Sequence, residues 1–141
     1  MTDVDLSECA QCLCLASRRA ARTITRGFDR HLRPHGLRAT QFSLLAVLEL
    51  GGQRSIGDLA DTLGADRTTL TRNLALIEEQ GLIRIRPGED PRARIVAITS
   101  KGKSLLTRAF PAWREAQSAL GAAIGSTAAD SLRRLARSPH I

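Results

Sequence analysis

The chain has 141 residues, a net charge of +7, and is 43% apolar but only 3% aromatic. That length suits one domain whose core needs no disulfide or metal to hold it, and the scarce aromatics, Phe28, Phe42, Phe110 and Trp113, leave the core to aliphatic side chains. No apolar run approaches the roughly 20 residues that span a bilayer, and the acidic start Asp3, Asp5, Glu8 is unlike the basic n-region of a signal peptide, so a cytoplasmic protein without membrane contact is expected.

From about Leu6 to Arg33, the residues Cys9, Leu13, Ala16, Ala20, Ile24, Phe28 and Leu32 recur at helical spacing, with arginines on the other faces. Pro34 and Gly36 stop this helix. Thr40 is the expected cap of a second helix that runs through Phe42, Leu45 and Leu48 to the Gly51-Gly52 break.

Ser55-Ile-Gly-Asp58 has the form of a capping box with Asp in the acidic place. Ile56, Leu59, Ala60 and Leu63 then mark a short amphipathic helix that Gly64 can end in a left-handed conformation. Asp66 can cap the next helix, whose apolar stripe is Leu70, Leu74 and Ile77 and whose end is Gly81. Two short helices joined by a tight glycine-containing turn predict a helix-turn-helix.

Ile83-Arg-Ile-Arg86 alternates as a half-buried strand does, Pro87-Gly-Glu-Asp-Pro91 is turn chemistry, and Arg94 to Ile98 can return as a partner strand. Thr99 or Ser100 caps a long helix from about Lys101 to Leu120. Pro111 should kink it, and Gly121 and Gly125 should break it. A last helix is expected from about Ala128 to Arg137.

With Leu70, Leu74 and Ile77 facing the core, Thr68 and Arg72 point away, and Thr69 and Thr71 flank them. Small hydroxyl residues around one arginine suit a helix lying in the major groove, where guanidinium can donate twice to guanine. Of the 21 basic residues 19 are arginines, and residues 82–103 hold six basic against two acidic side chains. Arg92 or Arg94 at the hairpin tip can enter a narrow minor groove. Asp90, short and anionic, is suited to orienting one of these arginines by a charge-assisted bond. The solvated-face reading of the helix loses ground to DNA binding because a capped helix precedes it and a basic hairpin follows. No nucleophile elbow, phosphate loop, HExxH or paired carboxylates occur, so no enzyme is expected.

Leu37-Arg-Ala-Thr-Gln41, Asp66-Arg-Thr-Thr-Leu-Thr-Arg72, Glu79-Gln-Gly-Leu82 and Asp90-Pro-Arg-Ala-Arg-Ile-Val-Ala-Ile-Thr99, followed by Gly102, together resemble the MarR (multiple antibiotic resistance regulator) family over roughly residues 10–120. The resemblance implies a fold that is mainly α with a small β-hairpin, a winged helix-turn-helix with long N- and C-terminal dimerisation helices. On that plan residues 1–141 form a single domain, with 1–36 and 100–141 dimerising and 37–99 forming the DNA-binding lobe. It implies a homodimeric regulator, expected to be a repressor, on a pseudo-palindromic operator of double-stranded DNA. Arg92 would be the minor-groove residue, and the expected DNA contacts are Arg67, Thr68, Thr69, Thr71, Arg72, Arg86, Arg92 and Arg94. Pro91 departs from the usual basic or small residue at the wing tip and would stiffen it, and the C-terminal helix is short. Independently of the resemblance, the first and the long helix lack partners large enough to cover their apolar faces, which two-fold pairing would supply.

Cys9, Cys12 and Cys14 lie within six residues. On one helix Cys9 and Cys12 would share a face and Cys14 would not. Thiol redox sensing, a soft metal or metalloid site, and plain packing at a dimer interface all remain open; no cofactor is required. His31, His35 and His140 are dispersed and lack metal-ligand spacing. Phe110 and Trp113, three residues apart, are candidates for an effector pocket for a small molecule, with interface packing as the competing use. A winged-helix module that binds protein and not DNA is the alternative function.

Overall fold

The computed structural model describes residues 3–138. A 3-10 turn at Ser7–Gln11 precedes α1 (Leu13–Leu32), and a second short 3-10 turn leads to α2 (Ala39–Gly51). Then come β1 (Arg54–Ser55), α3 (Ile56–Leu63), α4 (Arg67–Glu79), β2 (Ile83–Pro87), β3 (Arg94–Ile98), α5 (Ser100–Ile124) and α6 (Ser126–Ala136). The sheet is antiparallel in the order β1-β3-β2.

The core gathers Leu32 from α1, Leu44, Leu45 and Leu48 from α2, Leu59 from α3, Leu74 and Ile77 from α4 and Val96 from β3, all fully buried. Ile83 pairs with Ile98 and Ile85 with Val96, so β2 and β3 turn their apolar side chains to this core and leave Arg84 and Arg86 exposed. Around Trp113 of α5 the aromatic side chains converge. Its ring is stacked with Phe42 at 5.9 Å and with Phe110 at 5.6 Å, and Phe28 lies 6.5 Å away.

Five local expectations are corrected. The first helix starts at Leu13 and not near Leu6, because Cys12 adopts an extended conformation and interrupts it. Residues 3–23 are exposed throughout, so no burial favours drawing the earlier 3-10 turn into the helix. Thr40 does not cap α2. Gln41 accepts the Arg38 N–H at 3.0 Å, and Asp29, reaching across from α1, accepts the Ala39 N–H at 2.7 Å. Those bonds satisfy the orphan donors of the helix start and leave Thr40 inside the first turn.

The long helix runs through Gly121 to Ile124, and only Gly125, with φ +88°, ends it. Leu120 explains the extension. It presses on Gly27 of α1 so closely that a Cβ there would lie 2.6 Å from its methyl group, and packing of this kind outweighs the modest helix penalty of one glycine. The expected two-stranded hairpin gains a third strand, β1, which pairs Arg54 with Val96 and Ser55 with Ile95. The free edge of β3 selects it through main-chain bonds, which two residues of sequence do not announce. α6 begins two residues earlier than expected.

Candidate nucleic-acid interface

α3 and α4 are joined by Gly64, whose φ of +62° is cheap only for glycine. The Ala65 N–H returns to the Ala60 carbonyl at 2.9 Å and closes the turn. Ser55 caps α3 by accepting the Asp58 N–H at 3.1 Å, and Asp66 caps α4 by accepting the Thr69 N–H at 3.2 Å. With Leu70, Leu74 and Ile77 buried, α4 presents Arg67, Thr68, Thr69, Thr71, Arg72 and Ala75 to solvent.

These side chains are not equally available. Thr71 donates its hydroxyl to the Arg67 carbonyl at 2.9 Å, and Thr69 donates weakly to Asp66 at 3.3 Å. Among the described residues the Thr68 hydroxyl and the Arg72 guanidinium have no hydrogen-bond or ion-pair partner. Arg67 lies back over α3, where a Cβ at Gly57 would sit 3.5 Å from its Nη2.

The wing turn is built around Asp90. Its carbonyl accepts the Ala93 N–H at 2.9 Å, making a four-residue turn with Pro91 at the second position, where a fixed φ is favourable. Its carboxylate accepts the main-chain N–H of Arg92 at 2.9 Å. The expected charge-assisted bond to an arginine side chain is therefore replaced by a main-chain bond, because the turn brings the N–H within reach of the short carboxylate. The Gly88 N–H donates to the Ala93 carbonyl at 2.8 Å and closes the loop.

Arg92 and Arg94 project from this rigid tip, exposed and without an ion pair among the described residues. Arg86 is held: its guanidinium donates to the Gln53 side chain, clamping β2 to the segment before β1.

Sequence reasoning missed several supports of this surface. Gln53 anchors Arg86, and the Glu78 carboxylate accepts the Ile85 N–H, tying the end of α4 to the wing. Lys101 donates to the Gln80 carbonyl at 2.8 Å. No spacing rule points to Gln53 or Glu78. The Thr99 node was half visible as a cap: it accepts the Gly102 N–H at 3.1 Å but also donates to the Gly81 carbonyl at 2.6 Å, joining the ends of α4 and β3 to α5.

A cavity of about 480 Å³ opens between α1, α2, α4 and α5, with the end of α3 at its edge. Trp113 lines it, together with Phe28, Gln41, Asp66, Thr69 and Asn73. Phe110 does not; it stacks on Trp113 and remains 46% exposed. The two effector-pocket candidates are thus separated.

Cys9 lies in the 3-10 turn, Cys12 at the break and Cys14 in the first turn of α1, all exposed free thiols. They do not share one α-helix as expected. Among the described residues no three His, Cys, Asp or Glu side chains converge on a metal-sized site. His31 Nδ1 lies 3.0 Å from the Gly27 carbonyl, His35 is half-buried, and His140 lies outside the described residues. Among these residues no helix is long and apolar enough to cross a membrane.

Comparison with known proteins gives a consistent result. A family model described as the MarR family matches residues 35–93. YwoH, an uncharacterised HTH-type transcriptional regulator of Bacillus subtilis, is 31% identical over 84 residues, 60% of this chain and 61% of YwoH. The match thus spans less than two thirds of that curated relative. The crystal structure of the M. tuberculosis transcriptional regulator MosR in complex with DNA is 40% identical, with a TM-score of 0.79 over 89% of this chain and 94% of that one. The transcriptional repressor CouR, bound to a 23-mer DNA duplex, is 26% identical with a TM-score of 0.74 over 95% and 96% of the two chains. CouR is also known bound to p-coumaroyl-CoA.

Proposed function

The chain belongs to the MarR family, and from that premise we propose that it is a homodimeric transcriptional repressor of the cytoplasm that binds operator DNA and has no catalytic activity. One observation carries the reading. Thr68 and Arg72 on α4, and Arg92 and Arg94 on the wing, are exposed polar groups with no ion pair inside the described chain. Cations left unpaired on a rigid framework are available to phosphates and base edges. The DNA-bound relatives MosR and CouR support the same use.

In this reading α4 enters the major groove and Arg92 the adjacent minor groove. Arg94 contacts phosphate, while Arg67 and Arg86 position α3 and the wing more than they touch bases. Residues 37–99 form the DNA-binding lobe, and the helices of 1–36 and 100–138 pair with a second copy. Fluorescence anisotropy against genomic fragments at several salt concentrations tests it. Binding should weaken steeply with salt, Arg72→Ala should lose discrimination, and Arg92→Ala should lose affinity. Flat anisotropy at low salt, or unaltered binding by both variants, would refute it.

Two inputs are proposed to control affinity. A small molecule held against Trp113 would bias the dimer between states of different α4 spacing. Oxidation of the exposed thiols would do the same from the N-terminal side. Peroxide takes one cysteine thiolate to sulfenic acid and is reduced to hydroxide, and a second thiol then expels water to form a disulfide. DNA binding that falls with peroxide in the native chain but not in a Cys9→Ser, Cys12→Ser, Cys14→Ser triple variant supports this input. An equal response in both proteins rejects it. A thiol-reactive metal in place of peroxide tests the soft-metal alternative with the same pair.

A further inference from the structure

α1 carries a charge pattern that neither the core nor the surface of α4 uses. We propose that its arginine face is a second nucleic-acid contact, which holds the phosphates of another duplex while α4 and the wing hold the operator. The two-duplex arrangement rests on α4 being the DNA-reading helix; the arginine contact itself does not.

Arg18, Arg19, Arg22, Arg26, Arg30 and Arg33 follow one another along α1 and into the turn after it. At about 100° per residue they fall within an arc of about 120°. All six are exposed, and none makes an ion pair or a side-chain hydrogen bond among the described residues. The acid in that arc, Asp29, is turned to the start of α2, where it accepts the Ala39 N–H at 2.7 Å. Like charges at i, i+4 destabilise a helix, and Arg18, Arg22, Arg26 and Arg30 form an unbroken row of them. An anionic partner offsets that repulsion. The six arginines span about 22 Å, one cation for every 4 Å or so. A nucleic-acid strand carries one phosphate per about 3.4 Å of axis, and guanidinium can bond a phosphate twice.

The rest of α1 separates this partner from a membrane and from the operator. A helix that lies on lipid must sink its apolar face into it. Here that face is taken: Gly27 receives Leu120 of α5, and Ile24, Phe28 and Leu32 line the cavity. Leu13, Ala16 and Ala20 continue the side of Gly27, where the second copy is proposed to pack, so the arginines stay open in the dimer. Thr69, Leu70 and Asn73 line the same cavity from α4. The arginine face of α1 and the Thr68–Arg72 face of α4 therefore point away from that space on different sides. A duplex seated on α4 leaves the arginine row free.

The test first disables the α4 and wing surface with Arg72→Ala and Arg92→Ala. This protein should still bind a duplex of arbitrary sequence, with affinity falling about a hundredfold between 50 and 200 mM salt, as about four phosphate contacts require. Adding Arg18→Gln, Arg22→Gln, Arg26→Gln and Arg30→Gln should lower that binding at least about tenfold. Glutamine is as good a helix former as arginine, so circular dichroism should be unchanged, and lysine at the same four positions should keep most of the binding. No residual binding, or residual binding that the glutamines leave intact, overturns the contact. Tighter, arginine-dependent binding to phosphatidylserine vesicles than to duplex overturns its assignment to nucleic acid. A second arm saturates an immobilised genomic fragment with protein and adds a fluorescent duplex. The native chain should capture it, whereas the four-glutamine variant should hold the fragment and capture nothing. Equal capture by both, or loss of the fragment itself, overturns the two-duplex arrangement. A native chain that prefers no genomic fragment yet keeps arginine-dependent binding refutes the role of α4 and the two-duplex arrangement, and leaves the α1 contact standing.

Discussion

The Asp90 carboxylate accepts the main-chain N–H of Arg92 at 2.9 Å, so the acid at the wing tip fixes the backbone of the arginine and leaves its guanidinium free. If Arg92 binds DNA as proposed, a negative charge so near it costs affinity by repulsion, yet the turn that Asp90 builds aims the cation. The two contributions can be separated. Asp90→Asn keeps the side-chain oxygen that accepts the N–H and removes the repulsion, so DNA affinity should hold or rise. Asp90→Ala loses the turn and should weaken binding about fivefold, a typical consequence of deleting one side chain to main chain bond. Anisotropy at one fixed salt concentration compares them; equal losses in both variants would assign Asp90 a role through its charge.

Arg72 and Arg92 should fail in different ways. A minor-groove or phosphate contact contributes to every sequence, so Arg92→Ala should lower the slope of log affinity against log salt by about one. A bidentate guanine contact contributes only at its own base pair, so Arg72→Ala should cost about tenfold or more on operator DNA and little on a scrambled duplex. Salt titrations on both duplexes give all four numbers. Identical profiles for the two variants would contradict the division of labour between α4 and the wing.

The surface of α4 was legible in the sequence because one stripe settles it. Once Leu70, Leu74 and Ile77 face inward, the exposure of Thr68 and Arg72 follows from helical geometry. The caps Ser55, Asp66 and Thr99 were legible for a similar reason, since each acts within three residues of itself. What could not be read were bonds between elements. Asp29 reaches ten residues ahead to Ala39 and displaces Thr40 as the guardian of α2. Glu78 and Gln53 serve the wing from outside it. The cavity is the extreme case, because it is the space between five helices and belongs to no segment of sequence. Phe110 and Trp113 were adjacent on one face of α5, but only the fold decides that one lines the space and the other covers its back.

Gly102 and Gly121 lie in the same helix and should respond oppositely to alanine. A Cβ at Gly102 would fall 2.2 Å from the Leu82 carbonyl oxygen and 2.8 Å from Ile98 Cγ1. Leu82 O also accepts the Thr99 N–H, so it has little room to retreat. Gly102→Ala should destabilise the fold by about 3 kcal/mol, the upper part of the range for overpacking. Gly121 has nothing within 4 Å of the corresponding position. There alanine restores helix propensity and should stabilise by about 0.5–1 kcal/mol. Thermal melts of the two variants should move in opposite directions; a neutral Gly102→Ala would mean that α5 can slide away from the sheet.

α6 carries the sharpest test of the dimer. Leu132 and Leu135 share one face of it at i, i+3 spacing and are 47% and 51% exposed, while Leu13 at the start of α1 is 85% exposed. Apolar side chains left open on terminal helices, when the lobe between them has a filled core, are suited to a second copy and not to water. Leu132→Glu with Leu135→Glu places two carboxylates on that face without touching the buried core, so the monomer should stay folded. Sedimentation velocity should show a dimer for the native chain and a monomer for this variant. Operator affinity should fall by about two orders of magnitude, because each half-site must then be bound without the effective concentration that the linked partner supplies. Far-UV circular dichroism matching the native chain would confirm that the loss is one of assembly. A variant that still sediments as a dimer would move the interface off α6 and onto α1 and α5 alone.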